Sequence, residues 1–442
     1  MLKKILAVTA IVSLSVYCSY GQANIHSSGE TIGQTGSGVI TTAVPFLLVA
    51  PDSRGAGMGD IGVASSADAN SQHYNPAKYI FNKNMFGISV SYSPWLRKLT
   101  KDMNLLYLAA YYKITPNDAI AFSLRYFSLG EITFTDAQGE VLSTQRPNEF
   151  ALDFTYSRRL SKCVSMALTP RFVYSDLTNG AFISGGIETQ AGVAGSADLS
   201  LFYEQDFAVK GLHNTTLRVG LNLSNLGSKV SYGSNRRDFL PANFRLGISY
   251  SMDLNEHNRI AVLGEVGKLM VPTQPIYKQM LDSSNRLVMV YDENNQPVIM
   301  SGYDADPQNV SVAMSIFRSW YDAPGRPRNP PEFFTAVPSK ADKFKEEMRE
   351  FVWALGIEYS YRDLLFIRAG YFNESADKGA RKYFTVGAGI HYNVFGIDVS
   401  YLASLEQTHP LENTLRFTLT FDFVSFKKEE IKKQGRTTAV DM

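Results

Sequence analysis

The chain has 442 residues, 45% of them hydrophobic and 19% charged, and its 43 Lys and Arg offset 42 Asp and Glu to a net charge of +1. So apolar a chain is not disordered, and a near-zero charge gives no electrostatic footprint for a nucleic acid. After the first twenty or so residues, no stretch approaches the roughly 20 consecutive apolar residues that a spanning helix needs, which leaves a soluble exported protein or a β-barrel.

Lys3 and Lys4 precede an apolar run from Ile5 to Val16 that ends in small and polar residues. The pattern predicts an export signal over residues 1–21, cleaved after Gly21 and leaving Gln22 as the mature terminus. The bulky Tyr17 before Cys18 argues against lipidation. Cys163 is then the single cysteine of the exported chain, so an intramolecular disulfide is impossible.

Residues 22–83 read as an N-terminal periplasmic segment and luminal hatch. Residues 24–44 are rich in Gly, Ser and Thr and are expected extended in the periplasm. The run from Pro45 to Ala64 is dense in glycine and too irregular for a strand; it holds a G-x-G-x-x-G at Gly57, Gly59 and Gly62. A dinucleotide fingerprint would need a βαβ unit and an acid about twenty residues onward. Position 82 is Asn82 and strands follow, so the better reading is a tight-turned segment packed where little more than backbone fits. Asn75-Pro76 adds a turn signal.

From about residue 84 onward, large apolar side chains take every second position, as in Leu217, Val219, Leu221, Leu223 and again in Phe384, Val386, Ala388, Ile390. A period of two means strand. Candidate strands fall near 84–92, 104–113, 118–127, 149–159, 163–175, 192–206, 213–226, 241–253, 258–270, 351–361, 364–373, 382–392, 394–405 and 412–426. Links after the even-numbered strands are tight and those after odd-numbered strands mostly long, the longest spanning 271–349. That alternation puts all short turns on one side and predicts an all-β, antiparallel up-and-down transmembrane barrel over 84–426, with short periplasmic turns and 271–349 as an extracellular loop. A Greek-key sandwich would not need it.

The positions between the apolar ones carry Arg125, Asp153, Arg171, Arg218, Arg245, Glu265, Glu358, Arg368, Asp398 and Arg416, expected to face the lumen. Tyr92, Trp95, Tyr111, Tyr112, Tyr126, Phe127, Tyr250, Trp353 and Tyr401 lie towards strand ends, where aromatic girdles belong. The segment from Lys340 to Glu350 has Phe344 and Met348 at helical spacing and is expected as a short amphipathic helix with a solvated charged face. Residues 427–442 form a charged tail assigned to the periplasm.

The run Pro51-Asp52-Ser53-Arg54-Gly55, Gly57-Met58-Gly59, Gly62, and Asn75-Pro76-Ala77 resembles the N-terminal signature of the PorV proteins of the Bacteroidetes type IX secretion system, a family related to the long-chain fatty-acid transporter barrels. The resemblance implies about 14 strands with a luminal hatch, a place in the Gram-negative outer membrane, and a non-enzymatic role. Its implied partners are the translocon barrel, a PorU-type surface attachment protease and the C-terminal signal domains of cargo, besides outer-membrane lipid. Within 271–349, Trp320, Tyr321, Phe333 and Phe334 sit on a proline-stiffened backbone and are candidate partner anchors; self-packing of the loop over the barrel mouth is the competing explanation.

Enzyme chemistry has little support. There is no G-x-S-x-G elbow and no H-E-x-x-H, and the 6 histidines are scattered. Cys163 is expected to be a structural or idle thiol, and His391 a satisfied luminal polar residue. Asp292, Glu293, Asp304 and Asp306 lack EF-hand spacing, so no metal or other cofactor is expected. Two other functions stay open: a channel for hydrophobic small molecules, which needs an apolar luminal pocket, and an outer-membrane lipid-modifying protein, which needs a catalytic cluster.

Overall fold

The computed structural model describes residues 38–95, 102–135, 140–177, 182–183, 187–188, 190–209, 211–233, 237–282, 287–328, 336–405 and 414–423. The export signal, the charged tail, Phe333 and Phe334 lie outside the described residues.

Among these residues, fourteen antiparallel strands close into one barrel. They are β1 (Phe86–Pro94), β2 (Asn104–Lys113), β3 (Asp118–Ser128), β4 (Asn148–Arg159), β5 (Val164–Asp176), β6 (Gly192–Phe207), β7 (Asn214–Gly227), β8 (Asn243–Asp253), β9 (Asn258–Leu269), β10 (Val352–Tyr361), β11 (Leu365–Asn373), β12 (Lys382–Tyr392), β13 (Phe395–Ser404) and β14 (Thr414–Phe423). Each pairs with its sequence neighbours, and β14 returns to β1 in the register Val90 to Leu419. Closure leaves no open edge, the condition for a sheet in lipid. Among the described residues, no helix is long and apolar enough to cross a membrane.

Burial alternates along most of the barrel strands. In β3, Ala119, Ala121, Ser123 and Arg125 are buried while Phe122 and Tyr126 are exposed. The inward set is largely polar: Ser89, Ser91, Asp153, Thr169, Arg171, Arg368, Asp398 and Arg416 are all buried. The expected inward charges therefore face the lumen, and the outward set is the greasy one.

Parity also corrects the expected girdle. Tyr92, Tyr112, Tyr126, Trp353 and Tyr401 are exposed on the outer wall, whereas Trp95, Tyr111 and Phe127 are buried. Tyr111 continues the inward series Tyr107 and Ala109 and stacks on Tyr79 at 4.8 Å. Nearness to a strand end does not place a ring in the membrane interface; the side of the pleat does.

The long links carry small hairpins that alternation did not reveal: Ile132–Thr135 with Val141–Gln145, Ile276–Tyr277 with Ile299–Ser301, and Gln279–Leu281 with Leu287–Met289. Before the barrel come a 3₁₀ turn at Pro45–Leu48, the single-turn helices α1 (Ser53–Ala56) and α2 (Ser71–Tyr74), and a second 3₁₀ turn at Pro76–Phe81. The 271–349 excursion holds α3 (Val312–Arg318) and α4 (Lys340–Arg349).

Candidate functional site

Residues 45–82 hydrogen-bond to inward side chains from strands around the whole circumference, and so occupy the lumen. Asp52 caps α1, accepting from the Gly55 amide at 3.0 Å. The Ser53 amide donates to Thr418 of β14, the Gly59 amide to Thr385 of β12, and the Gly62 and Val63 amides both to Glu265 of β9 at 3.0 Å. Gln72 donates to Thr155 of β4, and Ser157 and Ser165 donate to the carbonyls of Pro76 and Ala77. An irregular segment cannot satisfy its own backbone groups, so the polar wall supplies partners that a helix or strand would supply itself.

The signature residues have separable tasks. Arg54 joins Asp68 at 2.8 Å to Glu358 of β10 at 2.9 Å, and Glu358 also holds Arg368, which in turn pairs with Asp398. Asp60 pairs with Arg416 at 2.7 Å and accepts from the Tyr383 hydroxyl. Asn75 caps the second 3₁₀ turn through the Ala77 amide, and its Nδ2 donates to the carbonyl of Leu201 in β6. Pro76 opens that turn, where a missing amide costs nothing. Pro51 is buried just ahead of the Asp52 cap.

The glycines mark close approaches. Gly59 has φ 86°, and a Cβ there would stand 3.0 Å from the Tyr371 carbonyl oxygen. A Cβ on Gly55 or Gly62 would strike the Tyr74 ring or hydroxyl, and one on Gly57 would meet Gly387 of β12 at 3.1 Å. The wall answers in kind: a Cβ on Gly370 or Gly220 would lie 2.1 Å and 2.2 Å from the backbone of Met58 and Val63. Gly57 and Gly59 of the G-x-G-x-x-G thus fit against wall backbone and Gly62 against the Tyr74 ring, with no βαβ unit around them.

Among the described residues, a luminal cavity of about 10 Å³ is lined by Leu47, His73, Arg171, Asp198 and Arg245, among others. It has room for about one water. Arg171 bridges Asp153 and Asp198 beside it. His391 donates from Nε2 to Asp398 at 2.9 Å, and Cys163 contacts Gln205 at a short turn.

The segment enters this packing from an unexpected side. The Ala43 amide bonds to the Phe239 carbonyl, in the long link between β7 and β8. Phe46 and Leu47 cluster with Trp95, Leu105, Phe127 and Leu240, whereas Pro76–Phe81 lies by the short turns, where Lys113 and Arg159 donate to the Ile80 carbonyl. The chain therefore descends from the long-loop mouth to the short-turn end before β1 begins. Residues 38–44, part of the stretch 24–44 expected in the periplasm, sit on the side opposite the short turns.

The 271–349 excursion is also folded onto the barrel, and not as a simple lid. Along the outer wall, Leu246, Val266 and Trp353 form one exposed row in register. One rung nearer the mouth, Phe244 pairs with Lys268, and this rung is covered: Trp320 packs on Phe244 at 5.1 Å and on Phe351 at 6.1 Å. Lys268 is buried between Glu347 and Glu350, at 2.8 and 2.5 Å. Lys378 reaches Glu346 and Glu350.

The expectation that the charges of α4 form a solvated face is therefore corrected, because Glu346, Glu347 and Glu350 are buried on cations of the rim. Asp322 completes a trio of carboxylates with Glu347 and Glu350. The Lys268 ammonium already provides positive charge there. Burial, and then Glu350, push Asp322 up to about 7, while burial alone would raise Glu350 but Lys378 and Lys268 outweigh it and hold it below its usual value.

Of the four candidate anchors, Trp320 packs on Phe244 and Phe351 with one side while remaining 38% exposed. Tyr321 is 60% exposed and meets Tyr303 edge-on; Phe317 on α3, outside the expected set, is 72% exposed.

A family model for the type IX secretion system protein PorV matches residues 33–276, more than half of the chain. The chain belongs to the PorV family. It is an outer-membrane β-barrel of the type IX secretion system. Among solved structures it is similar to the Pseudomonas putida toluene transporter TodX, at 10% identity and a TM-score of 0.46, covering 85% of this chain and 99% of that one. The Ralstonia pickettii toluene transporter TbuX gives 10% identity and 0.39 over 84% and 98%, and a Pseudomonas aeruginosa FadL homologue 10% and 0.38 over 88% and 100%. A search of curated proteins returns no match.

Proposed function

We propose that this barrel is a non-enzymatic cargo handler: it takes cargo released from the translocon barrel, recognises the cargo's C-terminal signal domain, and delivers it to a PorU-type attachment protease at the surface. The observation that carries the reading is the packed lumen. With residues 45–82 hydrogen-bonded to the wall on all sides, the segment acts as a hatch, and recognition falls to the long-loop end, which faces outward from the cell. Family membership supports the system. The cavity beside Arg171 and Asp198 is small and charged, the opposite of what passage of a hydrophobic molecule requires.

Affinity isolation of the native complex from outer membranes tests this directly. Co-purification of the translocon barrel and a cargo signal domain is expected; recovery of the barrel alone, with secretion intact in its deletion strain, would refute the proposal. Orientation has its own check, since Thr41 is exposed near the long-loop mouth. Thr41→Cys should react with an impermeant maleimide on intact cells, and reaction confined to lysed cells would reverse the barrel.

A further inference from the structure

Helix α4 is inside out. Its Glu346 and Glu347, together with Glu350 just after it, are turned onto Lys268, Lys378 and Arg326, while Ala341, Phe344, Lys345 and Met348 point away and are exposed. Those four positions have the i, i+3, i+4, i+7 spacing of one helical face. Phe344 is 64% exposed and Met348 47%. A helix that buries its carboxylates and presents phenylalanine and methionine outward has no reason to do so in water, where the same chain could have hidden the apolar face.

The position of the helix gives the reason. Its carboxylates grip Lys268, which stands on the outer wall of β9 two residues beyond the lipid-facing Val266. Two strand residues span about 7 Å, so α4 is tethered at the rim one rung beyond the exposed row of Leu246, Val266 and Trp353, where the lipid-facing belt ends. Its outward apolar face continues that belt. Its exposed charges are Lys340 and Lys345, and Asp342 is held in the Ser339 capping box.

We propose that α4 is an interfacial anchor, seated by Phe344 and Met348 in the headgroup layer at the long-loop rim, with Lys340 and Lys345 on lipid phosphates. Apolar side chains flanked by lysines on one helical face are what binding in the plane of an anionic membrane surface requires. The buried ion cluster beneath fixes the depth and angle of the helix, so the excursion is held at the membrane surface from both sides. The inference rests on the outer-membrane barrel and not on cargo handling.

The full-length barrel carrying Cys163→Ser, with Phe344→Cys or Met348→Cys labelled by a small fluorophore, would be reconstituted into phosphatidylcholine vesicles with and without phosphatidylglycerol. A third label at Glu293→Cys, in an exposed turn, serves as the reference. Positions 344 and 348 should be quenched by a lipid bearing a nitroxide near its headgroup and protected from aqueous acrylamide, with the reverse at 293. Lys345→Glu should weaken the lipid quenching more in the anionic vesicles. Acrylamide reaching 344 and 348 as freely as 293 in both vesicles would overturn the proposal. So would protection that appears only on adding solubilised outer-membrane proteins, which would make the face a protein-docking site, and so would a Lys345→Glu effect that ignores lipid charge.

Discussion

Two irregular stretches are held on the same barrel by buried ions, one within it and one against its outer rim, and they are built in opposite ways. The luminal segment 45–82 fits by absence of side chains: Gly55, Gly57, Gly59 and Gly62 let its backbone touch Tyr74 or the wall, and wall glycines such as Gly370 reciprocate. The outer excursion 271–349 fits by large side chains, with Trp320 between Phe244 and Phe351 and three glutamates around Lys268 and Lys378. Where the luminal backbone meets the wall there is no room even for a Cβ, whereas the outer rim has no opposite wall and can be met by bulk. Tightness inside and anchoring outside therefore call for different residues.

The largest expected effect separates these two modes by charge. Lys268→Met leaves Glu347 and Glu350 buried without their shared cation, and removing one partner of a buried pair costs about 3–5 kcal/mol. Hydrogen exchange should show α4 and residues 320–326 opening while the barrel strands keep their protection. Arg368→Met leaves Glu358 with Arg54 alone and Asp398 with His391 alone, and there a smaller loss should instead appear in the barrel's thermal midpoint. Equal effects in both regions would mean that the excursion and the barrel unfold as one unit.

Sterics come next. Gly62→Val places atoms inside the Tyr74 ring, and overpacking of this kind costs about 1–3 kcal/mol. Gly57→Val with Gly59→Val adds the strain of φ 86°. Both variants should admit large antibiotics to cells that otherwise exclude them; unchanged permeability and melting would mean the segment does not close the lumen.

A smaller effect depends on pH. Asp322 is raised from 3.8 to about 7 in the folded excursion, so the folded state binds the extra proton between those values. The contribution of this group to stability is greatest below about pH 4, falls as pH rises towards 7, and stays low above it. Asp322→Asn keeps an acceptor for the Thr273 amide and removes the charge. Protection of 320–326 against hydrogen exchange should rise in the variant at pH 8 and match the native chain at pH 4. A gain of the same size at both pH values would exclude titration of Asp322 as the cause.

The smallest structural effect carries the functional test. Phe317→Ala with Tyr321→Ala touches exposed rings and should change stability by about 0.5 kcal/mol or less, yet reduce cargo at the cell surface if these rings anchor a partner. Trp320→Ala is the contrasting variant, expected to loosen the excursion first. Normal cargo display in the double variant, at equal barrel levels, would move recognition elsewhere on the long-loop end.

Much of the wall is legible in the sequence. Alternation such as Phe244, Leu246, Ile248 reports local pleating, and the regular exchange of short and long links orders the strands, because each strand pairs with its sequence neighbours. The luminal residues were legible for another reason: Gly57, Gly59, Asn75 and Pro76 work through backbone conformation, which leaves residue types visible in one dimension. The helical spacing around Phe344 and Met348 was equally visible, but the direction of its charged face was not.

What sequence by itself determined, then, is everything governed by neighbours in the chain: the strand period, the turns, the glycine-rich run and the capped helix α4. Tertiary structure decided the rest. It turned Trp95, Tyr111 and Phe127 inward, brought residues 38–44 to the long-loop mouth, and set Trp320 between Phe244 and Phe351. It also buried the glutamates of α4 on Lys268 and Lys378, cations from distant parts of the chain. The physical reason is common to all four: a side chain's environment depends on which wall the closed barrel sets beside it, and closure joins residues that no local pattern links.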